Sequence, residues 1–337
     1  MAIKTIAVLT SGGDSPGMNP AIRSVVRTAT RHGVRSFGIL NGYAGIFQDE
    51  VLELTDRSML GVLERGGTIL QTSRCEEFFK PEGIDLAARK LREHRFEGLV
   101  VIGGDGSLKG AHELHKRGIP VIGIPGSIDN DIGCTEMCVG VDTACNTIIE
   151  SIDKIKDTAR SHSRCFLIEV MGRRSGYLGL ATAITSGAEV AILPEFQYDL
   201  NRILTLLDQR YKTRRSDSII ILAEGVMEAS EFCKILQNHT DGPPLKQDVR
   251  LTVLGHVQRG GRPSHFDSML AARMGELAVT GLIQGESAMM TAWRKGRITL
   301  VDLNDVVNTL NPITSDTIRL ARSLGIELGI ATVPSVS

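Results

Sequence analysis

The densest group of polar side chains follows an apolar stretch that ends near Ile124. Residues 125–131 read PGSIDND and carry two carboxylates, a hydroxyl and an amide. Two aspartates at alternate positions can face one ligand while the residue between them points away. In a phosphoryl transfer, one carboxylate accepts the proton of the attacking hydroxyl. Asp129 is the predicted base, and Asp131 either assists it or caps the helix that follows.

Two glycine-rich segments have the composition of phosphate-binding loops. Gly12-Gly13 follows the strand-like residues 3–10, and GGDGS at 103–107 follows the apolar residues 98–102. Glycine lets backbone N–H groups approach phosphate oxygens, and a following helix N-terminus favours negative charge. A single loop could need glycine for its turn alone, but two at equivalent strand ends favour phosphate binding. Neither matches the Walker A or dinucleotide fingerprint, which disfavours a dehydrogenase.

Asp105 lies inside the second glycine-rich loop. A carboxylate beside phosphates repels them unless a cation lies between, so Mg²⁺ bridging nucleotide phosphates is predicted. The alternative is that Asp105 caps the helix that Gly106 and Ser107 begin.

Basic residues occur at or near several predicted strand ends. Planar guanidinium groups suit phosphate recognition and compensation of developing negative charge. His256 could join an anion site or be a buried structural histidine. Glu224 could bind sugar hydroxyls or cap a helix before Gly225. The arginines concerned are Arg74, Arg164, Arg173, Arg250 and Arg259.

The elements that must position these residues are strands alternating with helices. Strands are predicted at 3–10, 98–102, 119–124, 165–170, 189–193, 219–223 and 251–256, and helices at 19–32, 86–94, 142–161, 176–185, 200–211, 230–237 and 266–282. Continuous apolar strands between amphipathic helices indicate parallel sheets covered on both faces. The predicted fold class is α/β, with two doubly wound three-layer α/β/α domains and the active site in the cleft between them.

Composition excludes several classes of function. The net charge of −1, with 42% hydrophobic and 23% charged residues, argues against a nucleic-acid partner. No apolar run approaches the roughly 18 residues of a membrane helix, and the first residues do not resemble a signal peptide, so a cytoplasmic location is expected. The six cysteines are expected to be reduced, and Cys134 and Cys138 lack zinc-site partners.

Five motifs in series resemble those of the 6-phosphofructokinase family, in its ATP-dependent, bacterial-type form. They are LTSGGDSPGMN, GGDGS, PGSIDND, EVMGR and LGHVQRGG, in the family's order and spacing. The resemblance implies transfer of the γ-phosphoryl group of ATP to the 1-hydroxyl of fructose 6-phosphate, the committed step of glycolysis, with Mg²⁺ and a homotetramer. It also implies a larger ATP-binding domain (1–140 plus 257–308) and a smaller sugar-phosphate-binding domain (141–256 plus 309–337).

The resemblance assigns roles residue by residue. Asp129 would be the base, with Ser127 and Arg173 beside the transferring phosphoryl group and Asp105 on Mg²⁺. Residues implied to contact ATP are Gly13, Arg74, Cys75, Gly104, Asp105, Gly106 and Ser107. Residues implied to hold the sugar phosphate are Met171, Gly172, Arg173, Glu224, His256 and Arg259, with Arg164 and Arg250 reaching in from a neighbouring subunit.

Two glycines bear on the phosphoryl donor. Pyrophosphate-using relatives carry an aspartate at the position of Gly106 and a lysine at that of Gly126, whereas glycine at both leaves room for an α-phosphate. A pyrophosphate-dependent phosphotransferase is therefore the alternative to an ATP-dependent enzyme. Two departures from the family are Ser127, where threonine is usual, and Cys75, where a bulkier aromatic residue is common beside the adenine.

A regulatory site is also implied by the resemblance. Bacterial members bind ADP or phosphoenolpyruvate between subunits through basic residues, and Gly61 and Asp217 depart from the groups usual in allosteric enzymes. The residues that match the site in charge are Arg23, Arg27, Lys156, Glu189 and Arg215.

Functions of other classes fit the motifs less well. NAD and lipid kinases share the GGDG loop but would not need SIDND followed by MGR in this order. A non-catalytic sugar-phosphate sensor would be expected to lack Asp129 or Asp105, and both are present.

Overall fold

The computed structural model describes residues 3–213, 217–239 and 245–331. The chain divides into two compact units. The first comprises residues 1–128, 132–143 and 259–311, and the second comprises residues 129–131, 144–258 and 312–337. The chain therefore passes between the units several times, as the lack of a spacer-like segment predicts.

The strands and helices alternate through most of the chain. The strands are β1 (Thr5–Ser11), β2 (Arg35–Ile39), β3 (Val51–Leu54), β4 (Gly98–Gly103), β5 (Val121–Pro125), β6 (Cys165–Val170), β7 (Val190–Ile192), β8 (Phe196–Gln197), β9 (Ser218–Ala223), β10 (Val249–Val253), β11 (Met289–Arg294), β12 (Arg297–Asp302) and β13 (Ile330–Ala331). The helices are α1 (Met18–Arg31), α2 (Tyr43–Gln48), α3 (Pro81–Glu93), α4 (Asp105–Lys116), α5 (Val141–His162), α6 (Tyr177–Ser186), α7 (Leu200–Lys212), α8 (Ala229–Asn238), α9 (His265–Ile283), α10 (Leu303–Asn308) and α11 (Ser315–Ser323). Glu77–Phe79 and Gly255–Arg259 are 3₁₀ helices.

The first unit contains a seven-stranded sheet in the order β12-β11-β5-β4-β1-β2-β3. Its inner strands are parallel, whereas β3 and β12 run antiparallel at the two edges. All residues of β4 are buried, which requires cover on both faces of the sheet. The amphipathic α1 buries Ile22, Val25 and Val26 in this core. The parallel interior places the loops that follow β1, β4 and β5 at one edge.

The second unit contains a four-stranded sheet in the order β10-β6-β9-β7, and every pair in it is parallel. Leu167 and Leu222 from the strands pack with Leu207 and Phe232 from α7 and α8. The loops after β6, β9 and β10 therefore leave the same edge of this sheet. The predicted α/β class with mainly parallel sheets is confirmed.

The structure corrects one predicted strand and adds elements that were not predicted. His256 does not extend a strand, because β10 ends at Val253 and the chain turns into a 3₁₀ helix. The unpredicted elements include β2, β3 and the hairpin of β11 and β12, which turns at Lys295-Gly296 with positive φ at both residues. The described helices include none long and apolar enough to cross a membrane.

Candidate active site

The two predicted phosphate loops lie side by side in the first unit. Ser11 and Gly103 are paired in register at the ends of β1 and β4. A Cβ on Gly103 would lie 2.4 Å from the Ser11 carbonyl oxygen, and a Cβ on Gly12 would lie 3.1 Å from the Ser107 hydroxyl. Glycine is therefore required for this close approach, and the prediction that both loops share one sheet edge is confirmed.

A third segment is fastened to the same edge. The Thr10 hydroxyl donates to the Gln71 carbonyl at 2.8 Å, and the Thr72 hydroxyl donates to the Gly12 carbonyl at 2.9 Å. These contacts bring the following Arg74 and Cys75 to the loop that follows β1. Arg74 is exposed, whereas partial burial raises the pKa of the Cys75 thiol, which is neutral. Their contact with ATP stays a prediction.

Asp105 is the first residue of α4, and the helix-capping alternative is wrong. The N-cap is Gly104, which makes no side-chain capping bond. The Asp105 carboxylate instead accepts from Lys109 Nζ at 2.8 Å, and its side chain is 45% exposed. A Cβ at Gly104 or Gly106 would meet nothing within 4 Å. This open, half-exposed carboxylate at a helix N-terminus suits Mg²⁺, which protein sites bind through one or two carboxylates and the substrate phosphates. No cluster of three or more metal-binding side chains occurs among the described residues.

Tyr43 anchors the start of α4, although nothing in the sequence marks it. Its hydroxyl donates to the Ser107 carbonyl at 2.6 Å, and its ring stacks on Phe78 with centroids 3.8 Å apart. Burial raises the pKa of Tyr43, so the hydroxyl stays protonated and can only donate to that carbonyl. A Cβ on Gly110 would lie 2.6 Å from the Phe78 ring. The aromatic pair therefore packs directly beneath the helix that carries Asp105.

Arg259 lies against the loop that follows β1. A Cβ on Gly13 would lie 1.9 Å from Arg259 Nη1, which also donates to the Asp14 carbonyl at 3.5 Å. The resemblance assigns Gly13 to ATP and Arg259 to the sugar phosphate. The structure brings these two residues into direct contact.

The loop after β5 carries the predicted base. Gly126 N donates to the Gly103 carbonyl at 3.0 Å, which ties the start of this loop to the loop after β4. A Cβ on Gly126 would lie 3.3–3.4 Å from Met18, Ile102 and Ser15, so a side chain here would require these neighbours to shift by a few tenths of an ångström. Asp129 is 4% exposed and Asn130 adopts a left-handed conformation with φ 50°. The side chain of Asp129 is therefore shielded from solvent, whereas Ser127 is half-buried.

In the second unit, the loops after β6 and β9 are held together by Glu224. Its carboxylate accepts from Arg173 N at 2.9 Å, and the N-cap of the following α8 is Glu228, so the alternative that Glu224 caps a helix is wrong. Arg173 has a φ of 53°, and a Cβ on Gly225 would lie 1.8 Å from its carbonyl oxygen. The backbone of Arg173 is thus fixed from both sides in an uncommon conformation.

Two residues that sequence reasoning missed support this edge. Gln258, which is fully buried, accepts from Met171 N at 3.0 Å and donates to the Gly255 carbonyl at 2.9 Å. Glu195 accepts from Gly176 N at 2.8 Å at the start of α6, and burial raises its pKa. Gln258 stands in the LGHVQRGG motif between more conspicuous neighbours, whereas Glu195 lies outside the five motifs.

His256 lies on the 3₁₀ helix that Gln258 fastens to Met171. Its side chain is exposed, so the alternative of a buried structural histidine is wrong. In the second unit, the carboxyl edge of the sheet thus gathers Met171, Arg173, Glu224 and His256.

Arg164 and Arg250 lie at the opposite edge of that sheet. They precede or begin β6 and β10, and both contact Asp248, at 3.2 Å and 2.7 Å. Met171 follows the six residues of β6, which span about 20 Å in an extended strand. The two arginines therefore do not join the sugar-phosphate residues of their own chain.

Comparison with known proteins identifies the family. The model of the family described as Phosphofructokinase matches residues 5–282. The chain belongs to the phosphofructokinase family. The ATP-dependent 6-phosphofructokinase of Thermotoga neapolitana is 45% identical over 323 residues, covering 96% of this chain and all of that protein. The protein of the same name from Natranaerobius thermophilus is 47% identical over 324 residues, with the same coverage.

Solved structures of phosphofructokinases share the fold. The Saccharomyces cerevisiae phosphofructokinase superposes with a TM-score of 0.83 at 32% identity; the match covers 95% of this chain but only 46% of the yeast chain. The pyrophosphate-dependent phosphofructokinase of Marinobacter aquaeolei superposes with a TM-score of 0.83 at 20% identity and coverage of 99% and 94%. An enzyme named as pyrophosphate-dependent thus shares this fold, so the fold alone does not identify the donor.

Three residues of the implied effector site, Arg27, Lys156 and Glu189, have partners within this phosphofructokinase chain. Arg23 and Arg27 line a pocket of about 400 Å³ with Gly61, and Arg27 pairs with Asp56 at 3.6 Å.

In the second unit, Glu189 is paired with Arg210 at 2.5 Å and accepts from Ile219 N at 2.7 Å. Lys156 donates to the Ser186 carbonyl, and Asp217 pairs with Arg160. Arg215 lies outside the described residues. Allosteric control by ADP or phosphoenolpyruvate stays a prediction.

Proposed function

We propose that this phosphofructokinase transfers the γ-phosphoryl group of ATP to the 1-hydroxyl of fructose 6-phosphate, giving fructose 1,6-bisphosphate and ADP. The observation that carries the proposal is the full-length match to relatives named ATP-dependent 6-phosphofructokinase. The enzyme is a phosphotransferase with an alcohol acceptor and acts in glycolysis.

Asp129 is the base of the proposed reaction. The proton of the sugar 1-hydroxyl passes to its carboxylate as the oxygen attacks the γ-phosphorus, and the bond from that phosphorus to the leaving ADP oxygen breaks. The low exposure of Asp129, 4%, supports this role because exclusion of water strengthens electrostatic interactions at a reacting centre. Ser127 and Arg173 lie beside the transferring group, and Asp131 assists the loop.

The adjoining glycine loops of the first unit bind the nucleotide phosphates. Gly13 and the segment of Gly104, Gly106 and Ser107 present backbone N–H groups, and Arg74 and Cys75 lie next to the nucleotide. Asp105 holds Mg²⁺, which when bound offsets negative charge on the phosphates. The exposed, open start of α4 supports this assignment.

The carboxyl edge of the second unit's sheet binds the sugar phosphate. Met171, Gly172, Glu224 and His256 surround it together with Arg173 and Arg259. The fixed backbone of Arg173 supports a role near the transferring phosphoryl group, because it anchors the point from which the exposed guanidinium extends.

Arg164 and Arg250 complete the sugar-phosphate site of a neighbouring subunit in a homotetramer. Their location at the far edge of the sheet, about 20 Å from Met171 along β6, supports this role, because they cannot serve the same site on their own chain.

The test is to offer ATP and pyrophosphate in parallel, with fructose 6-phosphate and Mg²⁺, to the wild type and to Asp129→Asn. Turnover with ATP alone is expected, and Asp129→Asn should lower kcat by about 10²–10⁴-fold because the amide accepts no proton. Asp199→Asn, at the N-cap of α7, is the matched control and should leave kcat unchanged. Turnover with pyrophosphate instead, or an undiminished kcat in Asp129→Asn, would contradict the donor or the base respectively.

A further inference from the structure

Asp267, in the first turn of α9, has a side chain with no exposed surface. Its two carboxylate oxygens accept three hydrogen bonds, from Gly140 N at 2.9 Å, from Thr143 N at 2.7 Å and from the Thr143 hydroxyl at 2.5 Å. Gly140 and Thr143 flank the start of α5, so Asp267 satisfies backbone donors that the helix itself cannot use. The negative charge also lies at the favourable end of the helix dipole.

The segment held by Asp267 packs against the loop of the predicted base. Val139 N donates to the Pro125 carbonyl at 2.9 Å, and Val139 pairs with Gly126 in an isolated bridge. Gly126 continues directly into Ser127 and, two residues later, Asp129. A shift of residues 139–143 would therefore move the backbone on which these residues are built.

The same segment packs against the loop that follows β1. A Cβ on Gly140 would lie 2.7 Å from Ser15 Cβ, and a Cβ on Gly17 would lie 2.5 Å from Val139. The Gly17 position also lies 3.7 Å from Asp267 itself. The backbone at Gly17 and Gly140 therefore packs directly against these neighbours and leaves no room for a side chain.

The chain that follows Arg259 closes the arrangement. Ser264 N donates to the Thr143 hydroxyl at 2.9 Å, and Asp267 N donates to the Ser264 hydroxyl at 3.1 Å. Three segments assigned to substrates thus meet at one carboxylate: the loop after β1, the loop after β5 and the stretch after Arg259.

We propose that Asp267 is a positioning residue for the phosphoryl transfer, holding these three segments in register; this rests on the proposed function. Burial raises the pKa of Asp267 to about 6, while its hydrogen bonds from Thr143 and Gly140 oppose the rise and Asp142 adds to it. Residues 15–17 and 139–140, which pack against it, have no titratable side chains. The ionised form therefore predominates above about pH 6, where it can accept all three bonds.

The test compares Asp267→Asn with wild type under saturating ATP and fructose 6-phosphate. In this variant, an amide oxygen replaces one carboxylate oxygen and an NH₂ group replaces the other. The NH₂ group cannot accept a hydrogen bond from Gly140 or Thr143, so the segment of residues 139–143 must shift. We expect kcat to fall about tenfold or more while both KM values change less than about threefold, because misplacement affects the transition state most. The ratio of wild-type to variant kcat should also shrink as pH falls through about 6, because wild-type Asp267 is then protonated.

Companion variants separate positioning from loss of folded protein. Thr143→Val should lower kcat in the same direction, whereas Thr143→Ser, which keeps the hydroxyl, should not. Asp302→Ala removes the N-cap bond of α10 at 2.7 Å in the same unit and should leave kcat unchanged. If the wild type is active and both Asp267→Asn and Thr143→Val have the wild-type kcat at every pH, the positioning role of Asp267 is contradicted while the proposed function stands. A wild type without turnover would instead overturn the proposed function.

Discussion

At Gly106 the folded chain has no need for glycine. The residue lies in the first turn of α4 without positive φ, and an added Cβ would meet nothing within 4 Å. Gly106→Ala should therefore keep or slightly raise stability, by up to about 1 kcal/mol. If the nucleotide phosphates lie against this position, the same change should raise the KM for ATP several-fold. Steady-state kinetics and a thermal melt on one preparation check both parts.

The matched control is in the same helix. A Cβ on Gly110 would lie 2.6 Å from Phe78 and 3.0 Å from Tyr43, so Gly110→Ala should lower the melting temperature through overpacking. A Gly106→Ala enzyme with an unchanged KM for ATP would mean that the phosphates bind elsewhere.

Sequence reasoning found the residues that carry unusual chemistry and missed those that hold them. Charged or titratable groups at strand ends are conspicuous, which identified Asp105, Glu224 and His256. Only the structure could reject helix capping for the two acids and a buried structural role for the histidine. Tyr43 and Gln258 were missed because a tyrosine or glutamine becomes informative only through a partner distant in sequence, Ser107 or Met171.

At the scale of elements, α4 is held through its first turn. Tyr43→Phe removes the 2.6 Å hydrogen bond to Ser107 but keeps the ring stacked on Phe78. We expect a loss of about 1 kcal/mol in the free energy of unfolding, typical of one buried hydrogen bond. Denaturant unfolding measures it, and Tyr211→Phe, at an exposed tyrosine, should change nothing. Equal stability of the two variants would show that stacking alone anchors the helix.

The inner strands could be predicted, and the edge strands could not. Strands such as β4 and β9 are buried along their whole length, so an apolar run marks them. The edge strands β3 and β12 are short, and most of their residues are half-buried or exposed, which leaves a weak apolar signal. The turn at Lys295-Gly296 has the glycine of a hairpin turn but a lysine where asparagine or aspartate is usual, so the sequence did not reveal β11 and β12.

At the scale of the whole molecule, Asp267 links stability to pH. Its native pKa of about 6 exceeds the ordinary value of 3.8, so the native state binds this proton more tightly than the unfolded chain. The resulting stabilisation is complete below pH 3.8 and is lost as pH rises through about 6. It amounts to roughly 3 kcal/mol.

The measurement is the difference in unfolding free energy between wild type and Asp267→Asn. That difference should fall by up to about 3 kcal/mol between about pH 4 and about pH 7, since asparagine does not titrate. Trp293, the single tryptophan, packs edge-on against Phe266 with centroids 5.9 Å apart and reports unfolding of the first unit. A pH-independent difference would show that Asp267 titrates as in the unfolded chain.

The assembly itself can be tested by mixing two inactive variants. Asp129→Asn removes the base and Arg164→Ala removes an arginine proposed to serve a neighbouring subunit. In a mixed assembly, a site is intact only if the chain that supplies Asp129 is an Arg164→Ala chain and the chain that supplies Arg164 is an Asp129→Asn chain. When equal amounts are mixed, each condition is met with a probability of about one half. Mixing after mild dissociation should therefore restore about a quarter of wild-type activity. If each chain instead supplies Arg164 to its own site, the activity of a mixture cannot exceed the summed activities of the two variants. That outcome would contradict the separation of about 20 Å that β6 places between Arg164 and Met171 of one chain.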